Sequence, residues 1–345
     1  MKKRIVLSIV LIAILVSAIV PLTSCGASKG FTYTVNPDGE SITITSFGEC
    51  NDKKVVIGDT YDGYKVTAIG EKAFVGFEHR IGKNSTSSFK SITIPEGIIK
   101  IGAFAFSEMG SAEPFEFVIP STVEEIGYGA FGGNSNHISA FVVAEGNKNF
   151  KAVDGVLYSA DGKELIAFPY AKKIDKEFKV PAEVESIAPY AFWGGFKPEK
   201  ADALATLTLT SNVKKINNFA FYKAKEISTI NLPDGISEIG KSAFEGCVAL
   251  KHINLPEHIS SIGEKAFFGC TSLNSIEFPS HRTTIGAQAF YNCGFKNVTI
   301  PAGIVEIGPS AFNCAKVQCV VNEKPEEWHD NWYAGSDDNV TGGID

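Results

Sequence analysis

The sequence predicts a repeat solenoid, mainly β with short helical turns, wound as a right-handed coil and closed by hairpin caps. Three observations carry this. The string Ile-Gly-x-x-Ala-Phe, with minor variation, occurs nine times, beginning at Ile69, Ile101, Ile126, Ile187, Ile216, Ile239, Ile262, Ile285 and Ile307. From Ile187 onward the spacings are 29, 23, 23, 23 and 22 residues. In eight copies Pro95, Pro120, Pro181, Thr210, Pro233, Pro256, Pro279 or Pro301 stands six residues before the isoleucine, after a short alternating segment such as Ile230-Asn231-Leu232.

A period near 23 residues with one strand in each period is in the leucine-rich-repeat range. In the strand, alternate residues face opposite ways, so two apolar residues point inward and the Thr or Asn between them points out. The proline ends the strand because it cannot donate to a continuing ladder. A second apolar pair follows, as in Ile236-Ser237-Glu238-Ile239. The glycine is expected to permit a turn, and the Ala-Phe pair to close the coil with the ring inside. A count of 25 Phe against 3 Trp fits a stack of such rings.

At the start, Met1-Lys2-Lys3-Arg4 precedes an apolar run over residues 5–20, then Pro21 and Leu22-Thr23-Ser24-Cys25. That is the make-up of a secretory signal peptide, and the run is shorter than the ~20 residues a spanning helix needs. Leu-Thr-Ser-Cys also resembles the lipobox of bacterial lipoproteins, which implies acylation of Cys25 and a durable lipid anchor. The expected layout is a leader (1–24), a tether (25–30) and an N-terminal β cap (31–68). The solenoid follows (69–318), with a hairpin insert at about 141–176, and a C-terminal cap and tail (319–345) completes the chain. The first cap is a hairpin around Asn36-Pro37-Asp38-Gly39; the second folds Trp328 and Trp332 over the last coil. The insert reads locally as a hairpin from Val156 to Ser159 and Glu164 to Phe168, turning at Ala160-Asp161-Gly162.

These repeat units resemble the BspA-like leucine-rich repeat surface proteins over nearly everything from Phe31 to Tyr333. The segment from Phe150 to Tyr158 resembles the hairpin insert common in that family. The resemblance implies an extracellular protein of the bacterial cell envelope that binds a protein or a host or cell-surface component, with no catalytic motif, no enzyme activity and no cofactor. Departures are Thr210 for proline, Ala188 and Asn217 for glycine, and a long loop at 78–88.

Charge narrows the partners. Formal net charge is -7, and without residues 1–24 the chain carries 29 basic against 39 acidic residues, or -10. Such a surface repels phosphate backbones, so no nucleic acid is expected. Cys247, Cys270 and Cys293 recur three residues after the repeat phenylalanine and should stack as reduced core thiols. Cys314 and Cys319 could pair. No metal-ligand spacing is present. Gly127-Tyr128-Gly129-Ala130-Phe131-Gly132 matches a dinucleotide fingerprint, but it lies inside a repeat unit with no βαβ setting.

The candidate binding face is the ladder of outward strand residues: Thr208, Thr229, Asn231, His252, Asn254, Ser275, Glu277, Asn297 and Thr299. It can be a protein-recognition surface or a plain solvated sheet. The loop at 78–88 is a second candidate. An alternative is a glycan-binding protein using the aromatics near repeat turns (Trp193, Tyr222, Tyr291), and a third is a spacer without its own ligand.

Overall fold

The computed structural model describes residues 26–76, 90–111, 113–133, 137–174, 177–195, 197–198, 205–313, 316–319, 328, 330–331 and 340–341. The leader, Cys25, the 78–88 loop, Cys314, Trp332 and most of the tail lie outside the described residues.

The chain is a β-solenoid of leucine-rich repeats. Strands alternate with hydrogen-bonded turns, and no helix occurs among the described residues. The short helical turns expected from the sequence are therefore not found there. In the Gly-x-x-Ala-Phe segment the alanine N–H does donate three residues back, as from Ala266 to Gly263 at 3.1 Å. The fourth motif residue then stops any helix. It sits at positive φ in all nine copies, from 52° at Ser242 to 63° at Gly129, and only Gly129 is a glycine. An L-residue pays roughly 1–2 kcal/mol for that conformation.

Neighbouring coils hold it in place. In six of the nine copies the left-handed residue donates its N–H to the coil that follows, as from Phe104 to Tyr128 C=O at 3.2 Å, Ser242 to Glu264 C=O at 2.8 Å, and Lys265 to Ala287 C=O at 2.9 Å. The repeat phenylalanine donates to the next alanine, as from Phe244 to Ala266 at 2.7 Å, while Gly263 donates back to Ile239 at 2.9 Å. Successive coils are thus tied together through their backbones, which satisfies groups that burial would otherwise orphan.

The glycine of the motif serves close approach, not a turn. A β-carbon at Gly102 would lie 2.5 Å from Glu71 N, and one at Gly286 2.5 Å from Glu264 N. None of the motif's second-position glycines, from Gly70 to Gly308, has positive φ. Gly at this place lets the coil backbones press together.

Inside, the phenylalanines form a column. Centroids are 4.9 Å apart from Phe192 to Phe221 and from Phe221 to Phe244, 5.1 Å to Phe267, and 5.2 Å to Phe290 and again to Phe312. The spacing matches the ~4.8 Å between paired strands, so the sheet repeat sets the ring repeat. Cys247, Cys270 and Cys293 run beside it as free buried thiols. Each Sγ donates at 3.1 Å to a phenylalanine C=O of the preceding coil: Phe221, Phe244 and Phe267.

The division of the core was not foreseen. The buried residues form two clusters, one from Phe31 to Phe141 and one from Val156 to Trp328. They meet at the insert, where Leu157 and Ala167 belong to the first and Val156, Tyr158, Leu165 and Phe168 to the second. The insert contains the expected hairpin, Val156–Ser159 with Glu164–Ala167, and Phe150–Val153 pairs ahead of it to make a three-stranded meander. Asp154 and Gly155, at φ 48° and 72°, make the first turn, the geometry that Asp-Gly favours between two strands.

The caps take simple forms. Thr32–Val35 pairs antiparallel with Ser41–Ser46. Trp328, only 2% exposed, bridges to Ile307 and donates Nε1 to Ile304 C=O at 3.2 Å.

Candidate functional site

The outward ladder expected from the sequence is not continuous. Its longest run is a four-stranded parallel sheet of Glu177–Lys179, Ala205–Thr208, Ile227–Asn231 and His252–Asn254. Register places Thr206, Thr229 and His252 in one row and Thr208, Asn231 and Asn254 in the next. Ser275 and Glu277 stand in an extended segment that joins no strand. Asn297 and Thr299 belong to a separate sheet, Asn297–Ile300 with Lys316–Cys319 and Val340–Thr341.

The break at Ser275 to Glu277 creates a site. With the sheet stopping at His252–Asn254, a shallow depression of about 330 Å³ opens at its edge. Thr229, Asn231, His252, Asn254, Ser275 and Glu277 line it over an apolar floor of Ile230, Ile253, Leu255 and Ile276. Asn231, His252, Ser275 and Glu277 are exposed, and no hydrogen bond ties their side chains to another described residue. Thr208, by contrast, donates to Glu177 Oε1 at 2.6 Å. Asn254 is committed as well: its Oδ1 accepts from Leu232 N–H at 2.9 Å and its Nδ2 donates to Leu232 C=O at 3.0 Å. It is a structural clamp that the alternation pattern presented as a free face residue.

A second, smaller recess lies where the insert replaces a coil. Leu165 pairs with Ile187, and Phe168 donates to Ala191 at 2.8 Å, so residues 165–168 act as an Ile-to-Phe motif. They lack its two turn residues. The turns on either side, at Tyr128 and Gly129 and at Pro189 and Tyr190, therefore face each other over a notch of about 190 Å³, together with Phe150, Glu164, Ile166 and Trp193. Phe104 packs edge-on to Tyr128 at 5.2 Å and to Tyr190 at 5.1 Å. Gly129 makes this contact feasible, since a β-carbon there would lie 2.6 Å from the Phe104 ring. Trp193 and Tyr222 join the cluster at 6.0 Å, while Tyr291 stacks on Phe268 elsewhere. Burial pushes the Glu164 carboxyl up from its usual range, against the pull of Lys215.

Among the described residues no three His, Cys, Asp or Glu side chains gather as metal ligands. His258 and His281 do meet edge-to-face at 5.9 Å, on an exposed surface.

The model of the BspA type leucine-rich repeat region, in six copies, matches residues 80–152, 166–247 and 195–319. The chain belongs to this family. The BspA-type array is similar to a leucine-rich repeat protein from Eubacterium ventriosum, at 20% identity over 84% of this chain and 95% of that one, with a TM-score of 0.51. A leucine-rich cell surface protein from Faecalibacterium prausnitzii aligns at 20% identity over 91% and 96% of the two chains, with a TM-score of 0.44. The pneumococcal vaccine antigen PcpA aligns at 21% identity over 91% of this chain and 71% of that one, also at 0.44. No curated protein matches the chain. At these identities the likeness to solved structures is one of fold.

Proposed function

We propose that this BspA-type protein is an exported, lipid-anchored interaction module that docks an extracellular protein on the depression at the edge of its four-stranded sheet. The observation that carries the reading is the coexistence there of unpaired outward groups, Asn231, His252, Ser275 and Glu277, with an apolar floor of which Leu255 and Ile276 are half-buried. Recognition surfaces combine an apolar centre with a few polar groups that set orientation. Repeat solenoids commonly bind through such a sheet face. The adhesive role, the cell-surface address and the anchor at Cys25 belong to this proposal, and the name of the surface protein from Faecalibacterium prausnitzii is in keeping with them.

The test uses cross-linking of the purified chain to intact cells or extracellular matrix, comparing wild type with an Asn231→Ala, His252→Ala, Glu277→Ala variant. Asn254 is left in place because its loss would disturb the sheet. A specific partner captured by the wild type and lost by the variant is the expected result. Equal capture removes this face as the docking surface. For the anchor, Cys25→Ser should move the protein from the membrane fraction to the soluble one.

A further inference from the structure

The notch beside the insert has the make-up of a small-ligand site. Its volume, about 190 Å³, holds about six waters at the ~30 Å³ each occupies in the liquid. That is room for one ring-sized unit, below the ~300 Å³ at which drug-sized sites begin. Its lining is mixed. Tyr128 remains 55% exposed beside Tyr190 and Trp193, giving an aromatic wall, and Glu164 brings a carboxyl between the two turns. A backbone donor is also left over. The left-handed residues of the two preceding coils give their N–H groups to the next coil, Lys72 to Ala103 and Phe104 to Tyr128. The N–H of Gly129 has no acceptor among the described residues, nor has that of Tyr190 across the notch.

We propose that this notch binds a single neutral pyranose, free or as the unit of a glycan, stacked on the Tyr128 wall and hydrogen-bonded to Glu164 and the Gly129 N–H. A pyranose has an apolar C–H face for the rings and hydroxyls that both donate and accept. It can therefore satisfy the carboxyl and the N–H together. An aromatic or aliphatic peptide side chain would leave both unpaired. An alkylammonium ion would suit the rings and the carboxyl, but it offers nothing to accept the N–H. Anionic sugars meet Glu164 and a net charge of -10 outside the leader. This site is separate from the sheet-edge depression, and the two readings stand or fall independently.

The full chain, kept in a detergent without a sugar headgroup, is titrated with methyl pyranosides of gluco, galacto, manno, fuco and N-acetylglucosamine configuration. Saturation-transfer NMR reads the contact. The expected result is transfer from protein to the ring C–H protons of at least one glycoside, with a millimolar Kd. Tyr128→Ala should weaken it by about tenfold, and Glu164→Gln should weaken it too, with melting temperatures near wild type. A disaccharide of the same sugar that binds as well as the methyl glycoside assigns the ring to a glycan; weaker binding assigns it to a free sugar. No transfer from any of the five overturns the proposal, as does transfer that both variants leave unchanged. Preferential binding of tetramethylammonium or of N-acetylphenylalanine amide also overturns it.

Discussion

Ala188 donates its N–H to Leu165 C=O at 3.0 Å, the bond that glycine makes to the preceding isoleucine in seven other coils. Its β-carbon is tolerated because the insert has no turn backbone at the place where Glu264 N crowds Gly286. Reciprocal substitutions at these two equivalent positions should thus have unequal costs. Gly286→Ala forces coils apart and should destabilise by more than about 2 kcal/mol, as overpacking does. Ala188→Gly should cost under ~1 kcal/mol, mostly through backbone entropy. Urea unfolding of both variants checks this, and equal losses would refute the close-approach role.

The amide of Asn254 extends the pairing of its strand with Ile227–Asn231 by one residue, bonding both backbone groups of Leu232. Asn254→Ala should lose about 1 kcal/mol, near the net worth of such bonds at a water-exposed edge. Hydrogen exchange should quicken at the Leu232 N–H in particular. Unchanged exchange there would show that water replaces the amide at no cost.

Glu226 is partly buried, and its Oε2 has no partner among the described residues. Burial raises its carboxyl above the usual range. A folded-state pKa above the unfolded one means that stability is fully present below the unfolded value, 4.5, and is lost as pH rises through the folded value. Glu226→Gln removes that loss. The variant should melt higher than wild type at pH 7 and close to it at pH 4. A gain of equal size at both pH values would mean that ionisation is not the cause.

The core divides at the insert, so the array should not unfold as one unit. Phe106→Ala and Phe267→Ala each empty a fully buried ring site, at about 3–5 kcal/mol. Calorimetry should show two transitions, with the first substitution lowering one and the second the other. A single transition that both variants shift equally would join the two halves.

Much of this architecture was legible in the chain. The Ile-Gly-x-x-Ala-Phe spacing located nine coils, and the phenylalanine column and the three core thiols followed from it. The Ile-Gly spacing did not reveal what the glycine is for, because close approach depends on the coil before. Nor could the left-handed position be read, since Lys72, Phe104, Tyr190 and Gln288 carry no common signal; docking between coils imposes it. At the depression, the alternation in Ile253-Asn254-Leu255 marked Asn254 as outward but not as bonded to Leu232. The loss of pairing at Ser275 to Glu277 left no mark, because Ser275-Ile276-Glu277 alternates like the true strands. The notch was hidden for a related reason: Leu165 to Phe168 reads as half of a hairpin until it is seen to occupy the place of a coil. Asp154-Gly155, a two-residue turn between apolar segments, lies within the stretch that resembles the family's hairpin insert.

The repeated left-handed residue also bears on how the array assembles. Taken alone, a coil carries an unfavourable intrinsic free energy at Lys72, Phe104, Phe219, Ser242, Lys265 or Gln288, and what stabilises it arrives only when the following coil accepts its N–H. In the language of a one-dimensional Ising chain, the single-site term is positive and the nearest-neighbour coupling is strongly negative. Such a chain has long correlation lengths. Fraying by one coil at a time is suppressed inside each half, and the cheapest defect is the boundary at the insert, where the coupling through Gly129 is missing.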